Sequence, residues 1–500
     1  MTMVRGHLER KPVEDLIAEA HGEQGKGLKR VLGPFNLTML GVGVIIGAGI
    51  FVVTGQAAAQ YAGPAIIISF VISAIGCAFA GLCYAEFASM IPVAGSAYTY
   101  AYMTLGRFFA WIIGWDLILE YLFGASTVAV GWSGYLNSLL HDFGLSLPAA
   151  LAQAPLAYHH ATGWQVTGAF MNLPAMIIVL LCTMLLVIGI KESALVNNII
   201  VVVKITVILL FIGFGIFYIK ADNLVPFIPE NTGTFGHFGW SGILRGAGVI
   251  FFAYIGFDTL STAAQEARNP QRDMPIGIIG SLVIATTLYI LVTFVLTGLV
   301  SFRDLGVPEP IGVGVDSLGS GFLWLRPLIK VGAIAGLSSV VLVLLYGQSR
   351  IFFSMSKDNM LPHAFAKVHP TFRTPHITTV TIGLAAMIIA GLFPLGMLSE
   401  MVSIGTLLAF VIVCASVPVL RKTKPLMHRP FRTPWVPLIP ILGVLICLLQ
   451  MIALPLGTWL RLVIWMVFGF IIYFSYGRYH AQKYTASSVD GEPYNPIHAG

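Results

Sequence analysis

The sequence predicts an all-α polytopic membrane protein with twelve membrane-spanning helices, and three observations lead to this fold class. First, 57% of the 500 residues are hydrophobic and only 10% are charged, whereas soluble globular domains have roughly 25% charged residues. Second, twelve apolar stretches are long enough for the ~20 residues that cross a membrane. Third, the first and the sixth of these stretches are rich in glycine. Each begins a set of five stretches, and two further stretches follow the second set.

Hydropathy alone defines the twelve stretches. They cover residues 36–55, 64–84, 108–138, 172–190, 197–219, 243–265, 275–300, 327–347, 376–394, 397–420, 436–455 and 459–477. Five is an odd number of crossings, so the second set must lie upside down relative to the first. We therefore expect five parts along the chain: a cytoplasmic N-terminal segment (1–35), two five-helix repeats (36–220 and 240–421), two further helices (435–477) and a cytoplasmic C-terminal tail (478–500).

Positive charge is concentrated on one side of this topology. Of the 28 Lys and Arg residues, 21 fall in the two termini and in the segments on the same side as the termini. The positive-inside rule then places both termini in the cytoplasm. It also explains the basic cluster between stretches ten and eleven as a topology signal and not as a nucleic-acid site: Arg421, Lys422, Lys424, Arg429 and Arg432.

Ionisable residues inside the apolar stretches are expensive in lipid and are therefore functional candidates. Asp116 and Glu120 in "GWDLILEY" lie four residues apart, on one helical face. Lys204 interrupts "IIVVVKITVILL", and Asp258 closes "FFAYIGFD". All twelve histidines lie in loops, in tails or at the edges of stretches. No stretch has a set of metal ligands, so we expect neither a metal nor a cofactor.

Each of these residues also has a structural interpretation. Asp116 can cap or pair near the cytoplasmic side, and Glu120 can serve as a hydrogen-bonding carboxyl. The amine of Lys204 can reach the membrane interface by snorkelling. For Lys220 and Lys330, which lie nearer the ends of their stretches, snorkelling is the favoured interpretation.

The segment "GVGVIIGAGIF" has glycines at positions 41, 43, 47 and 49. They can allow close helix packing, because Gly43 and Gly47 have the spacing of small-residue interfaces. Alternatively, the helix is interrupted at Gly47, Ala48 and Gly49, and the freed backbone groups hold a ligand. The following half-helix would then point the positive end of its dipole at an anion such as a carboxylate. The second glycine-rich stretch, "GAGVIFFAYIGFDTLST", favours interruption.

Several motifs, in order along the chain, resemble those of a known family. They are "LKRVLGPFNLTMLGVGVIIGAGIFVVTG", "YAEFASMIPVAGSAYTYAY", "GWDLILEY", "GFDTLSTAAQEARNPQRDMP" and "GQSRIFFSMSKDNMLP". The chain resembles the amino acid–polyamine–organocation superfamily, and more closely the bacterial branch of its cationic amino acid transporter family, over residues 28–477. The resemblance implies a leucine-transporter-like fold with five plus five inverted helices and two appended helices.

The resemblance also implies the positions that bind the substrate. The α-carboxylate would bind the backbone amides of Gly47, Ala48 and Gly49, although many relatives have threonine where this chain has Ala48. The α-amine would bind backbone carbonyls near Ile45 in the first stretch and near Phe252, Ala253 and Ile255 in the sixth. Phe252 matches the aromatic residue that covers the site, and Leu337 would border the substrate side chain.

Lys204 matches a lysine that occupies the place of a sodium ion in some proton-coupled members of the family. That place lies between the first stretch, near Gly43 and Ile46, and the eighth stretch, near Ser338 and Ser339. A lysine there is a candidate proton carrier, because burial disfavours its charged form.

We therefore expect a transporter in a bacterial plasma membrane that takes up neutral or cationic L-amino acids with protons. The alternative is an exchanger of cationic amino acids, with Glu120 facing the substrate side chain. A membrane enzyme would need a catalytic cluster, and a channel would need a repeated filter segment; neither is found. The expected partners are an L-amino acid, a proton and the lipid bilayer but no nucleic acid, and an accessory subunit stays open.

Overall fold

The computed structural model describes residues 32–90, 96–159, 163–189, 194–257, 260 and 267–480. The helices of the first half of the chain are α1 Pro34–Ile45, α2 Thr54–Ala57, α3 Ile66–Met90, α4 Ser96–Thr104, α5 Arg107–Asp142, α6 Ala149–Ala152, α7 Leu173–Ile188 and α8 Ala194–Gly215. Those of the second half are α9 Gly239–Ile250, α10 Pro270–Leu299, α11 Pro310–Asp316, α12 Leu325–Lys357, α13 His376–Leu392, α14 Leu395–Thr423, α15 Leu438–Ala453 and α16 Leu456–Ile472.

Each of the twelve apolar stretches overlaps helical structure. Within the described residues, seven helical runs are long and apolar enough to cross a membrane. Helices α7, α13 and α15 are shorter, with 16, 17 and 16 residues, and are also apolar. Large apolar side chains are exposed on the outer faces, among them Leu449 and Phe468 on the last two helices. A lipid environment accounts for these faces, which water would not favour.

The helix contacts repeat between the two halves of the chain. Helix α1 packs on α10 as α9 packs on α3, and α8 packs on α12 as α14 packs on α5. Three pairs, α3 with α10, α5 with α12 and α7 with α13, join corresponding helices of the two halves. Helices α5 and α12 form the centre of the bundle, and α15 and α16 pack on its outside against α3, α5, α9 and α14.

A two-stranded antiparallel hairpin departs from the all-helical prediction. Strands β1 Leu156–His159 and β2 Gly163–Val166 pair with Leu156 opposite Val166. Two four-residue strands are too short for alternating hydrophobicity to be recognised in the sequence.

Lys330 does not snorkel, which corrects the sequence-based interpretation. Its ammonium is fully buried and lies 2.7 Å from Asp142 and 3.0 Å from Asp316. The two carboxylates compensate the buried charge and tie α12 to the ends of α5 and α11. Lys220, by contrast, is exposed at the end of its stretch.

Two residues of the basic cluster also have a structural role. Arg421 donates two hydrogen bonds to the buried carboxylate of Glu86, of 3.1 and 2.8 Å. Arg429 forms a 3.5 Å ion pair with the same carboxylate. The side chains therefore fix the segment after α14 to the end of α3, in addition to any effect on topology.

Candidate functional site

The first glycine-rich stretch is interrupted. Helix α1 ends at Ile45 because Ile46 adopts an extended conformation, with φ −75° and ψ 91°. Helical structure resumes at Ala48, with φ −60° and ψ −22°, and continues as a π-helical segment over Gly49–Val53. The interruption therefore lies at Ile46 and Gly47, and it begins one residue before the position predicted from the glycines.

A helix that ends leaves its last carbonyl groups without helical donors, and here side chains from other helices supply some of them. The carbonyl of Val42 still accepts a backbone N–H, that of Ile46 at 2.9 Å. The next carbonyls accept from side chains. The carbonyl of Gly43 accepts from the ammonium of Lys204 at 2.7 Å. The carbonyl of Ile45 accepts from the hydroxyl of Tyr289 at 2.7 Å.

The second glycine-rich stretch is interrupted at a corresponding place. Helix α9 ends at Ile250 and is followed by a 3₁₀ turn over Phe251–Tyr254 and by Ile255 in an extended conformation. Ser403 on α14 supports this turn, since its hydroxyl donates to the carbonyl of Val249 at 2.7 Å and accepts the N–H of Phe252 at 3.2 Å. Asp258 lies outside the described residues.

The two interrupted segments are in direct contact. A β-carbon on Gly49 would overlap the backbone and side chain of Ala253. Gly256, whose φ of +117° favours glycine, packs in the same way against Val44. The glycines at these two positions therefore serve close packing as well as the interruption itself.

Tyr289 on α10 joins the two interruptions. Its hydroxyl lies 2.7 Å from the carbonyl oxygen of Ile45 and 2.6 Å from that of Ala253. A hydroxyl has one proton to donate, so the two carbonyls compete for it. This arrangement suits a second donor such as an ammonium group. Sequence reasoning missed Tyr289; the available signal was a hydroxyl within an apolar stretch, which needs a polar partner when buried.

Lys204 on α8 lies between α1 and α12. Its side chain is almost fully buried, and the alkyl chain runs along Gly336, where a β-carbon would lie 2.9 Å from Cγ. Its ammonium faces the negative end of the α1 dipole. Lys204 thus supports the first interruption from α8, as Ser403 supports the second from α14.

The two serines predicted beside Lys204 bond to other groups. The hydroxyl of Ser338 donates to the carbonyl of Ile334 at 2.8 Å and accepts from the indole N–H of Trp132 at 2.9 Å. The hydroxyl of Ser339 donates to the carbonyl of Gly336 at 3.0 Å. Both serines lie on the same helix as Gly336, but their hydroxyls form these hydrogen bonds with α12 itself and with Trp132 of α5.

Apolar side chains line the α12 side of the interruption. Val340 faces Gly47, with a methyl group 2.9 Å from the position of a β-carbon on that glycine. Leu337, one helical turn earlier, is fully buried, and Phe252 is 5% exposed. The side chain of α12 that contacts the interruption in this way, that of Val340, is therefore apolar.

Glu120 belongs to a part of α5 at a different height along the bundle axis from the contact between Val340 and Gly47. The ring of the adjacent Tyr121 contacts Gly347, which follows Val340 by seven residues on α12. Seven residues correspond to about 10 Å along a helix. The part of α5 that contains Glu120 therefore lies about 10 Å along the bundle from Val340.

Among the described residues, Asp116 neither caps a helix nor forms an ion pair, contrary to the structural interpretation of the sequence. It is fully buried in the interior of α5, next to Gly405 of α14. Neither carboxyl oxygen has a hydrogen-bond partner in the part of the chain that the structure describes.

Comparisons with known proteins agree with this architecture. Residues 32–480 match the family described as amino acid permease. The methylthioribose transporter of Bacillus subtilis is 47% identical over 472 residues, which are 94% of this chain and 98% of that protein. The branched-chain amino acid permease BcaP of the same organism is 47% identical over 476 residues, 95% of this chain and 98% of its own. The vacuolar cationic amino acid transporter 4 of Arabidopsis thaliana is 38% identical over 399 residues, 80% of this chain and 64% of that protein.

Proposed function

Because the chain belongs to the amino acid permease family, it is a multi-pass membrane transporter and not an enzyme, and we propose that it takes up neutral L-amino acids together with protons. The observation that carries this proposal is the position of Tyr289, whose single hydroxyl proton is shared by the carbonyls of Ile45 and Ala253. These carbonyls come from the two interrupted segments, so a ligand bound there would contact both halves of the fold.

In the proposed binding mode, the α-ammonium of the substrate donates to the carbonyls of Ile45 and Ala253. An ammonium has three protons, so it supplies the donor that Tyr289 cannot supply to both oxygens at once. The α-carboxylate binds the backbone amides of Gly47, Ala48 and Gly49 at the positive end of the helical segment that follows. The backbone groups near Phe252 and Ile255 complete the second half of the site.

We propose a medium-sized apolar side chain for the substrate. Val340 packs against Gly47 of the interruption, and the family resemblance places Leu337 and Phe252 beside the substrate. The acidic candidate, Glu120, belongs to a part of α5 that lies about 10 Å further along the bundle. A relative with 47% identity is named a branched-chain amino acid permease. A cationic substrate is less well supported, because the border described here offers no carboxylate for its side chain.

A second candidate substrate is methylthioribose, because another relative with 47% identity is named for its transport. This thioether sugar has an apolar methylthio group but neither an ammonium nor a carboxylate. It would use the apolar border of the site but not the paired carbonyls of Ile45 and Ala253. Competition between the two compounds therefore separates the candidates.

For energy coupling, we propose that Lys204 exchanges the transported proton. When charged, its ammonium donates to Gly43 and stabilises the packing of α1 against α8 and α12. When neutral, it holds the end of α1 less strongly, and the interrupted segment can rearrange toward the inward-open state. Because the ammonium takes the place of a bound cation, transport needs no sodium.

The proposed topology has twelve membrane-spanning helices, with both termini in the cytoplasm of a bacterial cell. Two five-helix repeats of opposite orientation are supported by the repeated helix contacts, in which α8 packs on α12 as α14 packs on α5. The distribution of Lys and Arg supports the cytoplasmic position of the termini.

The proposal is tested by uptake of labelled leucine into sodium-free liposomes that contain the purified protein. We expect uptake to rise under an inward proton gradient. Unlabelled valine and isoleucine should compete, whereas arginine and methylthioribose should not. Stronger competition by arginine or methylthioribose than by valine would contradict the proposed substrate class, and a strict sodium requirement would contradict the proposed coupling.

A further inference from the structure

The carboxyl group of Asp116 is buried without compensation. Its exposed fraction is 0%, and both oxygens lack a hydrogen-bond partner among the described residues. The side chain lies against α14, where a β-carbon on Gly405 would be 3.1 Å from Oδ1. Asp116 is nine residues from the start of α5, so it belongs to the interior of the helix and not to its capped ends.

A carboxylate in such a place is costly, because burial removes its hydration and no described residue replaces it. Groups in this situation take up a proton in preference to remaining charged. A neutral carboxylic acid loses far less on burial than the ion does. The geometry around Asp116 therefore favours the protonated acid in the conformation described here.

None of the described charged or titratable groups on the helices packed against α5 forms a hydrogen bond with Asp116. These helices are α4, α7, α12, α13, α14 and α16. Several of their groups have other partners, as shown by the pairs Tyr98–Asp358, Lys330–Asp142, Arg350–Tyr346, Arg421–Glu86 and Arg461–Glu400. The nearest ionisable group along the chain is Glu120, one turn away on α5.

Helix α14 connects Asp116 with the candidate site. Ser403 on this helix holds the second interruption through Val249 and Phe252. Gly405, two residues later, lies on the opposite side of α14 and faces Asp116. A movement of α14 that accompanies rearrangement of the second interruption would therefore also change the packing around Asp116.

We infer that Asp116 is a second proton-binding site, distinct from Lys204 and controlled by the position of α14. While α14 is packed on α5, Asp116 keeps its proton. When α14 moves away, water reaches the carboxyl group, its O–H bond breaks, and the proton passes to water and leaves a solvated carboxylate. This inference rests on the proposed function, because it assumes that the protein carries protons with its substrate.

Measurement of the number of protons carried per leucine tests the inference. Leucine uptake and internal acidification, reported by an enclosed pH dye, are measured together in liposomes for the parent protein and for Asp116→Asn. Asparagine has the same shape as the neutral acid but cannot release a proton. We expect this variant to retain counterflow of leucine and to carry fewer protons per leucine, with a changed pH dependence of uptake. An unchanged ratio and pH profile would overturn the inference.

The experiment separates a failure of the proposed proton coupling from a failure of the role of Asp116. A parent protein that transports leucine without acidification contradicts the proposed coupling, whereas acidification that Asp116→Asn leaves unaltered contradicts the role of Asp116 alone.

Infrared spectroscopy of the purified parent provides a measurement that does not depend on transport. The C=O stretch of a protonated carboxyl group should be present near neutral pH, absent in Asp116→Asn and retained in Glu120→Gln. Persistence of all such bands in Asp116→Asn would also overturn the inference.

Discussion

The ammonium nitrogen of Lys204 lies 2.7 Å from the carbonyl oxygen of Gly43, at the end of the interrupted helix α1. The sequence contains only the signal that a charge is out of place in an apolar stretch. The structure adds its partner, which is a carbonyl group that the end of the helix leaves without a helical donor. A charge on α8 is therefore linked directly to the conformation of the first interruption.

The hydroxyl of Tyr289 should be needed for substrate binding. Tyr289→Phe removes the hydroxyl that joins the carbonyls of Ile45 and Ala253, so the two acceptors proposed for the ammonium are no longer held together. We expect a loss of about 1–3 kcal/mol in stability and a leucine affinity at least about tenfold weaker, measured by thermal unfolding and by equilibrium binding. The matched control is Tyr254→Phe, whose hydroxyl donates to Phe70. That variant should lose stability with little change in affinity; equal losses of affinity in both variants would contradict the role of Tyr289.

Gly49 should tolerate no side chain. A β-carbon would overlap the backbone of Ala253, which cannot move aside as the end of a flexible side chain can. We expect Gly49→Ala to lower stability by about 1–3 kcal/mol and to abolish leucine uptake. Gly213→Ala on α8 is the control, because nothing lies within 4 Å of the added carbon. Normal unfolding temperature and uptake in Gly49→Ala would show that the two segments are not in the described contact.

Leu337 should influence the size of the accepted substrate. The side chain is fully buried one turn from Val340, so Leu337→Ala should cost about 2–5 kcal/mol in stability and enlarge the proposed pocket. We expect competition by phenylalanine to increase relative to competition by valine. An unchanged order of competitors in a variant that still transports leucine would remove Leu337 from the site.

Glu309, which precedes α11, should affect stability in a pH-dependent way. Burial raises the pKa of its carboxyl group, and a hydrogen bond from its own backbone and the charge of Lys330 act in the opposite direction. The fold therefore binds this proton more tightly than the unfolded chain does. Its stabilising contribution is present below the ordinary value of 4.5 and is lost as the pH rises through the raised pKa.

We therefore expect Glu309→Gln to unfold at a higher temperature than the parent at neutral pH and at a similar temperature near pH 4. Asp142→Asn is the comparison, because it removes a partner of Lys330 and should destabilise the protein at neutral pH. A Glu309→Gln variant that is less stable than the parent at neutral pH would contradict the assignment.

The sequence predicts local features of the fold well. Apolar stretches overlap the helices because crossing a membrane imposes their length and composition. The glycines at positions 47 and 49 locate the start of the first interruption to within one residue, since glycine weakens a helix wherever it occurs. Lys204 is recognisable for the same reason, as a charge that its own segment cannot accommodate.

Partners that are distant in the chain could not be predicted. The two carboxylates beside Lys330 are 188 and 14 residues away from it, so its position near a stretch end suggested snorkelling instead. Tyr289 looked like one more aromatic residue in an apolar helix. Asp116 has no hydrogen-bond partner within the described ranges, and this depends on how α5 and α14 pack, which no local pattern contains.

The central claim, that Lys204 couples leucine uptake to the proton gradient, is tested most directly by one measurement. Labelled leucine uptake is followed in sodium-free liposomes under an inward proton gradient, with parent protein and with Lys204→Ala. We predict concentrative uptake by the parent and none by Lys204→Ala, although leucine counterflow without a gradient can persist in the variant. Concentrative, gradient-driven uptake by Lys204→Ala would contradict the account.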